Sequence, residues 1–136
     1  MSNPRKAAIL DPGTLPAKNR GGGIRTVPLV TARIGSASML NGVTTLDPGA
    51  AVPLHFHNCE ESVLVLSGNA RVHIDGVETD VKPGFTTWIP TGMPHFFRNT
   101  SSTERMSMFW TYASIDANRT IVATGVTTRI DEEHRP

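Results

Sequence analysis

The sequence predicts an all-β domain. Three observations carry that expectation. Apolar residues come either in short runs of four to six, such as Val63-Leu64-Val65-Leu66, or in alternation, as where Ala70, Val72 and Ile74 interleave with Arg71 and His73. Turn formers are frequent, with 12 glycines and 10 prolines in 136 residues. Apolar spacing of the helical kind is rare.

The elements follow in order. Residues 1–23 are punctuated by Pro4, Pro12, Pro16 and the triplet Gly21-Gly22-Gly23, and read as an N-terminal arm. Ile24 to Val30 reads as extended, with Pro28 placing it at an edge or a bulge. Such a strand could pair with a neighbouring subunit or with the domain's own edge. Ser36 to Leu46 reads as one or two strands, Asn41-Gly42 being a candidate turn or bulge. Asp47-Pro48-Gly49, Asp75-Gly76 and Lys82-Pro83-Gly84 are turns. Strands are expected at 70–74 and 77–81, then at 96–99 and 104–112, with a polar loop at 99–103. In the last of these Met106, Met108, Trp110 and Tyr112 share one face. The segment from Ser114 is polar and alternates weakly around Thr120 to Thr124. It adds a surface strand or packs across the rest.

Size and charge limit what this chain can be. Its length suits one domain, taken as residues 24–136 after the arm. A net charge of +1, with 18% charged residues, offers no basic field for nucleic acid. The apolar runs fall far short of a membrane span. The first residues hold no apolar stretch of signal-peptide length. The single cysteine, Cys59, excludes an intrachain disulfide and suits a reducing interior, so the expected location is the cytoplasm.

The chemistry concentrates in two stretches. In the first, residues 49–68, His55, His57 and Glu61 fall within seven residues. Side chains two apart on a strand share a face, so His55 and His57 can close on one cation while Phe56 points away. Glu61 comes back beside them if 63–66 is the returning strand of a hairpin. The second stretch, residues 84–99, reads strand, Pro90-x-Gly92 turn, strand, and offers His95 as a fourth ligand. Imidazole with carboxylate suits one divalent transition metal ion, Fe, Mn, Ni, Co or Zn, rather than a thiolate-seeking metal. Glu60, one residue before Glu61, should face the other way.

These stretches resemble the two motifs of the cupin superfamily. Gly49, His55-x-His57, Glu61 and Gly68 fill the first motif; Gly84, Pro90-x-Gly92, His95 and Asn99 fill the second. The segment between them is as short as in compact bacterial cupins. One position departs from the pattern: Phe85 follows the second-motif glycine, where Asp is frequent. The resemblance implies a double-stranded β-helix (jelly roll, the RmlC-like cupin barrel) with the metal inside, held by His55, His57, Glu61 and His95. It also implies a homodimer. It leaves the reaction open, because one fold hosts many activities.

Alternation suggests the cavity wall: Val63, Val65, Val72, Phe97, Met106, Met108 and Trp110. Such a wall favours a small hydrophobic or carbonyl substrate. Tyr112 and Trp88 are further lining candidates, though core packing suits them as well. Arg71 and Arg98 count outward, leaving no inward arginine for a small dicarboxylate unless Arg25 or Arg33 reaches in. Thiol dioxygenases of this class carry a cysteine near the carboxylate position but lack the glutamate, so Cys59 reads as a loop residue. His73 and His134 read as surface residues. Four protein ligands leave two positions of an octahedral ion open, the mark of a catalytic site. The expected function is a metal-dependent enzyme on a small organic molecule, foremost a dioxygenase-type oxidoreductase in which Glu61 also moves a proton. The alternatives are a non-oxidative decarboxylase, isomerase or cyclase, with Glu60 or Glu104 as a mobile acid or base, and a metal- or ligand-binding module without turnover.

Overall fold

A computed structural model describes residues 6–133. The chain folds into two six-stranded antiparallel sheets. One sheet contains β1 (Lys18–Gly21), β2 (Ile24–Pro28), β3 (Leu40–Leu46), β10 (Met106–Tyr112), β5 (Glu61–Ser67) and β8 (Thr86–Ile89), neighbouring in that order. The other runs β12 (Thr127–Arg129), β11 (Asn118–Ile121), β4 (His55–Phe56), β9 (His95–Asn99), β6 (Ala70–Ile74), β7 (Val77–Val81). A one-turn helix, α1 (Ile130–Glu133), follows β12. Strands adjacent in space are mostly distant in sequence, the Greek-key connectivity of a jelly roll. Among the described residues no helix is long and apolar enough to cross a membrane.

Alternation sorts side chains as the sequence suggests. On β10, Met106, Met108, Trp110 and Tyr112 are buried while the residues between them are half-buried. On β3, Leu40, Gly42, Thr44 and Leu46 do the same. The core also takes Val63, Val65, Val72 and Phe97, so both sheets contribute to it. Burying a side chain such as Leu46 or Met106 contributes about 2–3 kcal/mol. Several polar residues inside are paired. The Thr26 and Thr44 hydroxyls lie 2.9 Å apart, and the Trp110 indole N–H donates to Thr44 Oγ1 at 2.8 Å. Asn99 donates its amide to the carbonyls of Leu46, Asp47 and Glu104, at 3.1, 3.2 and 2.7 Å, and so pins the loops flanking β3 and β10.

Two glycines are dictated by close approach. A Cβ on Gly68, at φ +78°, would lie 2.6 Å from the Arg105 carbonyl and 2.7 Å from Met106 Cα. A Cβ on Gly42 would lie 2.6 Å from the Trp110 ring and from the Val27 carbonyl. Gly42 is therefore the seat of Trp110 in an unbroken strand, and Asn41-Gly42 is neither turn nor bulge.

Two further expectations are revised. The arm assigned to residues 1–23 is shorter, because Lys18–Gly21 forms β1 and pairs with β2 across the glycine triplet. That triplet makes the hairpin turn between β1 and β2 rather than the end of an arm. The strand over 24–30 ends at Pro28 and takes the own-sheet alternative, with β1 on one side and β3 on the other.

Candidate metal centre

Four motif side chains meet inside the barrel. His55 on β4 is the register partner of His95 on β9. His57 lies one residue past β4, and its carbonyl accepts from Gly92 N–H at 2.9 Å, which ties the second-motif turn to the first motif. Glu61 opens β5 opposite Tyr112 of β10, in the other sheet from β4. The expected hairpin therefore does not form, and Glu61 meets the histidines across the barrel interior instead. All four are buried, at 4%, 2%, 5% and 1% exposure for His55, His57, Glu61 and His95. One ligand atom from each of the three imidazoles lies within 4.8 Å of the others. The histidine triad is thus placed for metal binding. Glu61 Oε1 stands 3.0 Å from His95 Nε2 and 3.3 Å from His57 Nε2.

Backbone carbonyls orient each ring. His55 Nδ1 donates to Pro53 O at 2.6 Å, His57 Nδ1 to Asn118 O at 2.8 Å and His95 Nδ1 to Met93 O at 2.9 Å. A carbonyl oxygen only accepts, so each Nδ1 carries the proton and each neutral ring turns the Nε2 lone pair elsewhere. For His57 and His95 that lone pair faces the Glu61 carboxylate, itself an acceptor. His57 Nε2 has no hydrogen-bond partner despite full burial. Acceptors meeting in a dry interior require a proton or a cation between them. This donor set, with its carbonyl supports, fits a divalent transition metal.

Electrostatics agree. Burial pushes the Glu61 carboxyl up, but when a proton rather than a metal fills the gap, the facing His57 and His95 rings outweigh burial and hold the group below the usual carboxylate range. Burial, then the charge of Arg119, pushes His55 down to about 2. That ring is neutral and free to ligate at any ordinary pH.

A cavity of about 30 Å³ adjoins the centre, touched by His55, Glu61 and His95. That is room for about two waters. Val63, Phe97, Met108 and Trp110 line it, together with Val52, Thr44 and Tyr112. Val65, Val72 and Met106, expected on this wall, are buried in the core but do not border the cavity. Their phase is inward, but they sit farther along their strands. Trp88 is neither lining nor core: it is 66% exposed, and its indole N–H donates to Glu60 at 2.8 Å on the outer face of edge strand β8. Glu60 and Glu104 are exposed and do not border the cavity. Cys59 is a buried, unpaired loop thiol whose pKa burial raises. His73 is half-buried and stacks on Phe96, while His134 lies outside the described residues.

Two arginines overturn the expectation that none points inward. Arg119 of β11 is 6% exposed, and Arg20 of β1 is half-buried; both line the cavity. Arg119 donates to Glu133 of α1 at 3.0 Å and to the Tyr112 hydroxyl at 3.4 Å. Arg20 lies 3.6 Å from the same carboxylate. Arg25 instead pairs with Asp47, and Arg33 is exposed. Charged residues are assumed to be at the surface unless a partner is evident, and the partner here is remote. The available signal was Ala117-x-Arg119: Ala117 is 1% exposed, and residues two apart on a strand share a side.

Fold and site together define a jelly-roll barrel built around an internal histidine-rich centre. The chain belongs to the cupin family, whose domain profile matches residues 42–112. Polyketide synthase CurC of Streptomyces cyaneus is 33% identical over 95 residues, 69% of this chain and 61% of that protein. Protein SchB of Streptomyces halstedii is 34% identical over 95 residues, 69% of this chain and 68% of that one. The match therefore spans less than two thirds of CurC's length. Among solved structures, the polyketide cyclase RemF from Streptomyces resistomycificus superposes with a TM-score of 0.74 at 18% identity, covering 92% of this chain and 86% of RemF.

Proposed function

We propose that this cupin is a metal-dependent enzyme that closes a ring in a small organic molecule carrying enolisable carbonyls, without oxidation. The observation that carries the reading is the set of three imidazoles, each fixed through Nδ1 by a carbonyl, beside the buried Glu61 carboxylate. His55, His57, His95 and Glu61 would hold a divalent Fe, Mn, Ni, Co or Zn ion, which supplies Lewis-acid polarisation of a carbonyl oxygen. The carbonyls of Pro53, Asn118 and Met93 keep the rings from turning. Glu61 is the catalytic carboxylate: it takes the proton from the carbon beside one carbonyl, and that carbon bonds to the carbon of a second carbonyl. The proton passes to the second oxygen to give a hydroxyl. This hydroxyl leaves as water with a hydrogen from the neighbouring carbon, forming a double bond. Val52, Val63, Phe97 and Met108 keep bulk water off the reacting group. Ring closure is favoured over other non-oxidative chemistry by the polyketide relative CurC and by the shared fold of RemF. The cavity is small, so the barrel surrounds the reacting end of the substrate.

A second reading, oxygen activation by a dioxygenase-type oxidoreductase, draws on the three-histidine, one-carboxylate set, which leaves two octahedral positions for substrate and O₂. One experiment separates the two. Natively purified protein is analysed for metal, then incubated with a short linear poly-β-keto thioester in an oxygen electrode, and the product is weighed by mass spectrometry. A cyclic product that has lost one water, with no oxygen uptake, supports cyclisation. A product that gains two oxygen atoms as O₂ disappears overturns it in favour of oxygenation. Tight binding of the thioester with neither change leaves a binding module. We further place the protein in the cytoplasm, as its one thiol suits a reducing space. We also infer a homodimer, supported by exposed Phe85 and Trp88 at edge strand β8.

A further inference from the structure

The end of the cavity away from the motif ligands carries more positive charge than its partners consume. Two guanidinium groups, on Arg20 and Arg119, share the single carboxylate of Glu133. Arg119 is buried, and its Nε has no hydrogen-bond partner. Glu133 Oε1, also buried, is likewise without one. A guanidinium has five N–H donors in a planar fork and is made to meet two oxygens of one anion side by side. Glu133 engages Arg119 through Nη1 alone, and Nη2 reaches only the Tyr112 hydroxyl at 3.4 Å. An isolated buried cation is costly, so this pairing stabilises the fold while leaving the fork half used.

We propose that Arg119 and Arg20, with the Tyr112 hydroxyl, form a subsite for a carboxylate or enolate oxygen of the substrate, and that Glu133 is the resident counter-ion this group displaces. The inference rests on reading the cavity as the substrate pocket. A ligand would then bridge the two ends of the cavity, taking the place Glu133 vacates, with one oxygen toward the histidine centre and another at the guanidinium fork. Both ends border the same small cavity, which fixes the substrate class: a compact organic acid or enolate with oxygen functions a few bonds apart. Glu133 sits on the one-turn helix α1, anchored by Ile130 at 0% exposure. Its carboxylate can therefore leave the fork by side-chain rotation, with Ile130 still seated.

Calorimetric titration of malonate, with dimethyl malonate as the uncharged control, tests this on metal-loaded protein whose metal equivalent has been measured. Removing the competing carboxylate with Glu133→Gln should tighten malonate binding about tenfold. Arg119→Met should weaken it at least about tenfold, with the metal equivalent retained, and dimethyl malonate should bind neither variant nor the parent. Should Arg119→Met fail to fold, Glu133→Gln and Arg119→Lys carry the test, the latter losing the fork but keeping the charge. Equal malonate affinity in parent and Glu133→Gln overturns the proposal, as does binding of the neutral ester. If the parent takes up no metal yet malonate still responds to both substitutions, the subsite stands and the metal-enzyme reading falls. If metal binds and malonate ignores both, the reverse holds.

Discussion

The two ends of one cavity were built by different parts of the chain. The histidine end comes from residues 55–61 and His95, on β4 and its partner β9 in one sheet and on the start of β5 in the other. The arginine end comes from β1, β11 and α1, the flanks of the chain. At the first end, four acceptor side chains crowd together and call for a cation. At the second, two cations share one carboxylate and call for an anion. The contrast teaches that one cavity joins a cluster of acceptors that calls for a cation to a cationic fork that calls for an anion, and that only the first is written in a compact motif.

The largest expected effect separates the ends outright. His57→Ala should abolish metal binding, weakening it more than about a hundredfold, as read by elemental analysis after dialysis. A full retained equivalent would break the contrast at its root. Next comes Arg119→Met, which leaves Glu133 half paired in a buried setting. It should lower unfolding free energy by about 3 kcal/mol in a denaturant titration, while the metal equivalent is unchanged. Loss of metal in that variant would show that the two ends are not independent.

Acid should sharpen the picture further. His55 in the fold resists protonation down to about 2, against an ordinary value of 6.5. Below pH 6.5 the unfolded chain therefore binds more protons, and stability falls as pH drops. The slope for this one group is about 1.4 kcal/mol per pH unit. Glu61, ionised in the fold below its ordinary 4.5, adds loss in the same direction at lower pH. Metal-stripped His55→Gln should show a shallower decline in its melting profile; an unchanged slope would mean that other groups govern it. Tyr112→Phe removes a long hydrogen bond to Arg119 and should cost about 1 kcal/mol or less, visible as a small shift in melting temperature. Cys59→Ser should leave metal content and turnover intact, since the thiol lies off the cavity wall. Loss of activity with metal retained would give that thiol a role.

Legibility followed the same divide. The strands with clean alternation, 70–74 and 106–112, were readable because each has one buried face. Asn41-Gly42 misled because a turn dipeptide and a glycine seating a tryptophan look alike in a string. Gly21-Gly22-Gly23 misled because a hairpin turn and the end of an arm share a composition. Trp88 misled because a large aromatic is presumed buried, while an edge strand can leave it outside.

The sequence by itself determined the all-β class and the inward face of the central strands through a period of two and turn chemistry. Its two motifs, by their resemblance to cupins, determined the barrel and the four side chains that converge. Tertiary structure alone decided the other end of the cavity. Arg20 and Glu133 lie far from each other along the chain, and no motif links either of them to Tyr112 or Arg119. A buried cation becomes tolerable only where a distant carboxylate is folded against it, and that meeting exists only in three dimensions.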